Sequence, residues 1–206
     1  MRPFALVLAL MLSAMMLNAE VKLSDDEKKD VVSGSVAIRE LEQPEGLAGK
    51  TYEAVSIMNV GKDALAAIIW KFEEYKNFMP NVEDVNIVSR DRSSAVIEYK
   101  LKLPLKISKR YRLRFDMAKD GDAIVIKWKL LEWKELKEDE TIKDTQGSWR
   151  IEDYPGKPGS VIVLYHIYTD PGKIPLGFGW ITDMLTKDSL PEVLSKTKER
   201  AEKKSQ

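Results

Sequence analysis

The chain has 206 residues, enough for one ordinary domain of about 150–200 residues, and 44% of them are hydrophobic, enough for a large core. Its 33 basic and 33 acidic residues balance, which argues against nucleic-acid binding because such proteins usually carry a basic excess. The absence of cysteine excludes a disulfide scaffold, a thiol nucleophile and a cysteine metal site, and the single histidine, His166, excludes a site built from several histidines. We expect neither a metal nor another cofactor.

The first 19 residues have the pattern of a secretory signal peptide. Arg2 is their only charged side chain, residues 4–17 are almost entirely apolar, and Ala19 places a small residue before Glu20. The apolar run is shorter than the roughly 20 residues that span a bilayer, although an uncleaved membrane anchor stays open as an alternative. The pattern predicts a periplasmic or secreted protein.

A polar leader, residues 20–32, follows this segment. Ser24 and Glu27 have the spacing of a capping box, which predicts a short helix there, with a mobile leader as the alternative. Extended segments are then expected at residues 36–40 and 51–60.

Helical spacing comes next, beginning at Gly61. Its apolar stripe is formed by Leu65, Ile68, Ile69 and Phe72. From residue 85 to 168 the apolar period changes to two, and one apolar and one charged face recur on strand after strand. This alternation is typical of an antiparallel sheet that is covered on one side only.

The chain ends with a helical pattern. Its apolar stripe is formed by Phe178, Ile181, Met184 and Leu185. Ser189 and Glu192 flank Pro191 as a second capping box, so the helix is expected to break near Asp188 and to resume to about Lys203. Because an apolar sheet face cannot stay in water, the terminal helix must cover it. The predicted fold is α+β: a twisted antiparallel sheet wrapped around a long C-terminal helix, with an internal hydrophobic cavity.

Three motifs stand in a fixed order along the chain. Residues 69–80 read IWKFEEYKNFMP, residues 146–150 read QGSWR, and residues 165–175 read YHIYTDPGKIP. In this order they resemble the START-like, helix-grip (SRPBCC) superfamily, most closely the polyketide cyclases and the coenzyme Q-binding START proteins. Lys173 stands where the family pattern has a second glycine. The resemblance implies that residues 33–206 form a START-like ligand-binding domain that holds a lipid, an isoprenoid, a quinone-like compound or a polyketide.

The inward positions of the sheet and of the terminal helix are the candidate wall of that cavity. They are Tyr99, Leu101, Tyr111, Leu113, Trp128 and Tyr165 on the sheet, and Phe178, Ile181, Met184 and Leu185 on the helix. Ordinary core packing gives the same pattern and stays open for each residue. Trp149 shares this face but is interpreted as structural, since its neighbour Gly147 indicates a backbone that passes close beneath a bulky ring. Segments 75–80 and 170–177 are expected at the mouth of the cavity.

Side chains that could act as acids or bases are scarce on these inward positions. His166 falls on the face opposite Tyr165, Glu53 has no partner that the sequence identifies, and Lys109 is the one polar residue in an inward register. This scarcity favours binding over catalysis. The leading hypothesis is an exported carrier of a hydrophobic small molecule. An enzyme of the polyketide cyclase or aromatase type, with a cavity tyrosine as its polar group, and an interaction module with a filled core are the alternatives.

A basic stripe lies on the outward positions of two neighbouring strands. It consists of Lys100, Lys102, Arg110, Arg112 and Arg114. Near an anionic membrane each basic residue contributes about 1 kcal/mol of attraction, so the stripe predicts transient docking to a membrane surface during ligand exchange. An ordinary solvated sheet face is the alternative.

Overall fold

The computed structural model describes residues 21–42, 46–104, 107–172, 183 and 187–204. This part of the chain contains one sheet and three α-helices, with short 3-10 helices at residues Phe72–Asn77 and Lys187–Ser189. The α-helices are α1 (Asp25–Ser33), α2 (Lys62–Ile69) and α3 (Leu190–Lys204). The strands are β1 (Ala37–Leu41), β2 (Lys50–Met58), β3 (Val82–Arg90), β4 (Ser94–Lys102), β5 (Ser108–Asp120), β6 (Ala123–Leu131), β7 (Asp144–Asp153) and β8 (Val161–Asp170). The segment with the signal-peptide pattern lies outside the described residues.

All eight strands form one antiparallel sheet in the order β1-β2-β8-β7-β6-β5-β4-β3. Strands β3 to β8 form a meander in which each strand pairs with the next, and β2 pairs with β8 to bring the early strands alongside. The predicted turn at Asp120 and Gly121 joins β5 to β6, and Gly121 has φ 58°, a left-handed conformation that glycine adopts without strain.

The main core lies between the inner face of the sheet and the helices α2 and α3. Leu65, Ile69 and Phe72 are fully buried against it, together with Leu190 and Leu194 of α3. The predicted apolar stripe is therefore confirmed, although Phe72 lies in the 3-10 helix beyond the end of α2. The period-two alternation is confirmed as well, since the inward positions of β4 and β6 are buried.

The outer face of the sheet is not left entirely to solvent, which corrects the expectation of a sheet covered on one side only. Helix α1 is held at its start by the predicted capping box, in which Ser24 and Glu27 bond to each other's backbone nitrogens. Val31 of α1 is 2% exposed and packs on β2 and β8 through Val55 and Ile162. The segment separated by sequence as a polar leader thus packs on one end of the sheet.

The C-terminal helix begins where the second capping pattern places it. A 3-10 turn at Lys187–Ser189 leads into α3, and Pro191 occupies its first turn, where the missing N–H costs little. Helix α3 packs on α2 and β2, so it covers the inner face of the sheet. Within the described residues, no helix is long and apolar enough to cross a bilayer.

Candidate functional site

A cavity of about 150 Å³ lies between the inner face of the sheet and the start of α3. Strands β4 to β8 supply most of its wall, and the segment from the 3-10 helix to the start of β3 closes one side. Ser189 and Val193 contribute from the 3-10 turn and from α3. The sheet and the C-terminal helix thus border space that the described residues do not fill.

All six sheet residues predicted for the wall line this one cavity. They are Tyr99, Leu101, Tyr111, Leu113, Trp128 and Tyr165. The helix residues Phe178, Ile181, Met184 and Leu185 lie outside the described residues. The geometry brings the six together, while their role in binding a ligand stays a prediction.

Several lining residues were not singled out from the sequence. They are Asn81, Val82, Phe115, Ile142, Thr145, Ile167, Thr169, Ser189 and Val193, and Trp149, which the sequence indicated as structural, lines the cavity as well. Phe115 and Ile167 belong to the same inward alternation and could have been found by extending it. Ile142 lies in the loop before β7, where no periodicity fixes the direction of a side chain. The expected mouth segment does reach the wall, through Tyr75, Met79 and Pro80.

Aromatic rings form a continuous surface across four strands of the wall. Tyr99 and Tyr111 stack at 5.3 Å between ring centroids, and Trp128 and Tyr165 also stack at 5.3 Å. Phe115 connects the two pairs, at 6.4 Å from Tyr99 and 6.1 Å from Trp128. Such contacts stabilise the wall beyond the burial of its area and present broad π faces to the cavity.

Gly147 makes room for one of these rings. A Cβ atom at this position would lie 2.3 Å from Cζ2 of Trp128 and 2.3 Å from the carbonyl oxygen of His166. The bulky ring expected over the glycine is therefore that of Trp128, across the β6–β7 pair, rather than that of Trp149. Trp149 instead packs edge-on against Tyr165, with ring centroids 4.4 Å apart.

Part of the polar surface of the cavity is satisfied by the protein itself. The Tyr75 hydroxyl donates to the carbonyl oxygen of Ile69 at 2.6 Å. Thr145 Oγ1 donates to the carbonyl oxygen of Tyr168 at 2.8 Å and lies 3.0 Å from Thr169 Oγ1. These hydrogen bonds stabilise the wall, and the hydroxyl protons that form them are not available to a ligand.

Three other hydroxyls face the cavity without such partners. Within the described part of the chain, no hydrogen bond involves the hydroxyls of Tyr99, Tyr111 or Tyr165. Burial raises the pKa of each of the three phenols well above its ordinary value. They therefore stay protonated at neutral pH and are available as hydrogen-bond donors.

The described wall of the cavity contains no charged side chain. Lys109 does point inward, as its register predicts, and is only 4% exposed, but its Nζ donates to the carbonyl oxygens of Asp139 at 2.9 Å and Thr141 at 2.8 Å. Burial lowers the pKa of this lysine. The side chain thus ties β5 to the loop before β7 and is not part of the wall.

His166 lies on the outer face of the sheet, as predicted. Its Nδ1 is 3.3 Å from Glu53 Oε1, and Glu53 also forms an ion pair with Arg39 at 2.6 Å. These bonds, first the one with His166, lower the pKa of Glu53. Glu53 therefore has partners on β1 and β8 that the sequence did not identify. Among the described residues, no group of three or more His, Asp or Glu is placed to hold a metal ion.

A charged groove adjoins the mouth of the cavity. Met79 and Pro80 line both spaces, and the far side of the groove is formed by α3. Arg200 of α3 forms an ion pair with Glu74 of the 3-10 helix. This pair spans the border between the two elements that close the cavity.

Acidic partners accompany most of the basic stripe. Lys100 pairs with Glu83 at 3.0 Å, Arg112 with Glu98 at 2.6 Å and Arg114 with Asp116 at 2.8 Å. Arg110 and Arg112 lie over the ring of Trp133, at 4.7 and 4.6 Å from its centroid. Trp133 thus covers the outer face of β5, and Lys102 is exposed at the end of β4.

Solved structures share this architecture. A STAR-related lipid transfer protein (fragment 25–204) from Xanthomonas axonopodis matches with a TM-score of 0.70 at 16% identity, over 82% of this chain and 94% of that one. Human STARD10 matches with a TM-score of 0.67 at 15% identity, over 91% and 84%. The di-domain ARO/CYC StfQ from the steffimycin biosynthetic pathway matches with a TM-score of 0.54 at 14% identity, over 87% and 55%.

No protein-family model matches the sequence, and no curated protein matches it significantly. At these identities the solved structures establish the fold alone. The resemblance to the START-like superfamily is confirmed at that level, while the coenzyme Q-binding branch stays a prediction. The chain has the START-like, helix-grip fold.

Proposed function

We propose that this protein is an exported carrier that encloses one hydrophobic small molecule, such as a lipid, an isoprenoid or a quinone-like compound, between its sheet and its C-terminal helix. The observation that carries this proposal is the cavity between the sheet and the C-terminal helix, whose described wall is mainly aromatic and aliphatic and bears no charge. Apolar ligand surface that leaves water for such a wall contributes about 25 cal/mol per Å². Export is supported by the pattern of the first 19 residues.

The size of the cavity implies that ligand binding requires movement. Sites for drug-sized ligands measure roughly 300–1,000 Å³, whereas an apolar cavity of about 150 Å³ holds a single six-membered ring. With about 150 Å³ available, a larger ligand must displace part of the wall. Segment 79–81 and the first turn of α3 border the cavity outside the sheet, so they are the parts that we expect to move.

Carriage is favoured over acid–base catalysis by the side chains of the wall. A general acid or base works best when its pKa lies near the ambient pH. The titratable groups of the described wall are tyrosines, and burial raises the pKa of Tyr75, Tyr99, Tyr111 and Tyr165 away from neutrality. The unpartnered hydroxyls of three of them keep a cyclase or aromatase activity as the second candidate, because a phenol can polarise a carbonyl as a hydrogen-bond donor.

Docking to an anionic membrane is the second part of the proposal. It would bring the carrier to the source or the destination of its ligand through the basic stripe. Ion pairs neutralise Lys100, Arg112 and Arg114, so we assign most of the attraction to Lys102 and Arg110.

The test is to purify the protein from its native host and to identify bound compounds by mass spectrometry of an organic extract. A carrier retains a hydrophobic compound in stoichiometric amount. The variant Leu101→Trp places an indole in the cavity wall and should lose most of that compound. Val88→Trp is the matched control, because Val88 is 50% exposed on β3.

Two results would contradict the proposal. One is a wild-type protein that retains no compound, and the other is a Leu101→Trp variant that is folded and retains as much as the wild type. Turnover of a supplied polyketide without retention would favour the enzyme instead.

A further inference from the structure

The cavity wall divides its hydroxyl groups into two sets. Tyr75 and Thr145 donate to backbone carbonyls, so they have no free proton to offer. Tyr99 and Tyr165 are only 6% and 8% exposed, and Tyr111 is half-buried, yet their hydroxyls make no hydrogen bond within the described chain. None of the three hydroxyl oxygens is among the sealed, unpartnered polar atoms of the described chain, so they open onto the cavity and can donate to a molecule that occupies it.

The three free hydroxyls belong to a single cluster. The rings of Tyr99 and Tyr111 are stacked with an interplanar angle of 13° on adjacent strands. Tyr165 is connected to them through the rings of Phe115 and Trp128, and all three tyrosines line the same cavity. Their donors can therefore converge on one or two acceptor atoms of the same molecule.

The cluster lacks what a charged ligand needs. A carboxylate or phosphate that enters an apolar cavity must be paired with a cation, because an unpaired buried charge is strongly unfavourable. The described wall has no basic side chain, and the nearby Lys109 already donates to two carbonyl oxygens. A neutral oxygen needs only the donors that are present.

From this arrangement we infer that the cavity takes an uncharged hydrophobic ligand that presents a carbonyl or hydroxyl oxygen to Tyr99, Tyr111 and Tyr165, and that it rejects carboxylate and phosphate groups. The inference rests on the proposed carrier function and adds the class of ligand to it. Ordered water on the three hydroxyls is the alternative, and the experiment separates the two.

Three probes of the same shape provide the test: ethylbenzene, acetophenone and benzoate. Each has one ring, which suits a cavity of about 150 Å³, and they differ in carrying no oxygen, a neutral carbonyl or a carboxylate. Dissociation constants are measured by NMR titration of the purified full-length protein. The proteins compared are the wild type, the single variants Tyr99→Phe, Tyr111→Phe and Tyr165→Phe, and the triple variant.

We expect the triple variant to bind acetophenone about tenfold or more weakly than the wild type, and single variants that lose a direct bond to bind it about threefold to tenfold more weakly. Ethylbenzene should keep its affinity within about twofold, since it makes no hydrogen bond. Benzoate should bind the wild type at least about tenfold more weakly than acetophenone. Each probe is compared with itself across the variants, so differences in water solubility among the probes do not affect the measured changes in affinity.

Tyr75→Phe is the matched control. It removes a hydroxyl from the same wall, but one that is bonded to Ile69, so it should lower the unfolding temperature and leave the ratio of acetophenone to ethylbenzene affinity unchanged. Phenylalanine keeps the aromatic contacts of the other three positions, and circular dichroism verifies that the variants are folded.

The outcomes are distinct. If acetophenone and ethylbenzene both bind and the triple variant leaves their ratio unchanged, water alone occupies the hydroxyls and the inference is wrong while the carrier function stands. Benzoate binding as tightly as acetophenone overturns the exclusion of anions. If neither neutral probe binds the wild type, the cavity is closed to ring-sized ligands, and the proposed function fails together with the inference.

Discussion

Replacing Gly147 by alanine tests whether the position of Trp128 is set by the absence of a side chain on the neighbouring strand. The new Cβ would lie 2.3 Å from Cζ2 of Trp128 and 2.3 Å from the carbonyl oxygen of His166. The indole can rotate away, but the carbonyl belongs to β8, which is paired with β7 along its length. Relief of the clash therefore requires a shift of the sheet as well as of the ring.

The expected loss of stability is large for the addition of one methyl group. Overpacking of a core usually costs about 1–3 kcal/mol of folding stability. Because the clash includes a backbone carbonyl, we expect Gly147→Ala to cost about 3 kcal/mol. For a domain of roughly this size, each kcal/mol lowers the unfolding temperature by about 2–4 °C, so the shift should be about 6–12 °C. Thermal and urea unfolding followed by circular dichroism measure both quantities.

Gly61→Ala is the control for this experiment. Gly61 has φ −70°, and a Cβ atom added there would find no atom within 4 Å beyond its own chain neighbours, so alanine meets open space. Its cost should stay below about 1 kcal/mol, because alanine is only a weaker N-cap than glycine.

A double-mutant cycle with Trp128→Phe separates the two clashes. Removing the outer indole ring should recover part of the stability lost in Gly147→Ala, and the contact with the His166 carbonyl should retain the rest. If Gly147→Ala unfolds within about 0.5 kcal/mol of the wild type, the close approach of ring and backbone is not what fixes this wall.

Two further predictions concern the outer face of the sheet. Bonds to His166 and Arg39 lower the pKa of Glu53 from its ordinary value of 4.5. The ionised Glu53 carboxylate therefore stabilises the fold above pH 4.5, and this contribution is lost as the pH falls through the lowered pKa. Glu53→Gln should therefore show a smaller loss of stability between pH 5 and pH 3 than the wild type, in urea unfolding at each pH, and parallel curves would contradict this assignment. For membrane docking, Lys102→Glu combined with Arg110→Glu should weaken cosedimentation with phosphatidylglycerol vesicles about tenfold or more, while Lys28→Glu on α1 should not, and equal losses in both proteins would refute a localised docking surface.

Sequence periodicity was sufficient to find six of the residues that the sheet contributes to the cavity wall. The side-chain period of a strand is two, so once Tyr99 is placed inward, Leu101 and, through the β4–β5 register, Tyr111 and Leu113 must follow. The same argument placed Lys109 inward and His166 outward. What it could not give was the partners of these residues, since Lys109 bonds to Asp139 and Thr141 in a loop without periodicity.

Long-range contacts could not be predicted from the sequence for a related reason. Glu53 and His166 are 113 residues apart, and Arg200 and Glu74 are 126 apart, and each pair meets only because the sheet and α3 are assembled. The packing of α1 was missed because Val31 is the one buried side chain of this helix. One buried residue in a charged segment produces no periodic signal.

The free hydroxyls of the cavity would serve ligand binding, but they contribute no hydrogen bond that stabilises the described part of the fold. Phenylalanine at Tyr99, Tyr111 and Tyr165 would keep the ring contacts and remove three donors that lack partners within the described chain. Since the hydroxyls make no hydrogen bond to the described chain, their removal breaks no bond within it, and the ligand-free triple variant should be at least as stable as the wild type. A core shaped by stability alone would use phenylalanine at these positions. If the triple variant is instead less stable without ligand, the hydroxyls serve the fold, and their presence in the wall needs no ligand to explain it.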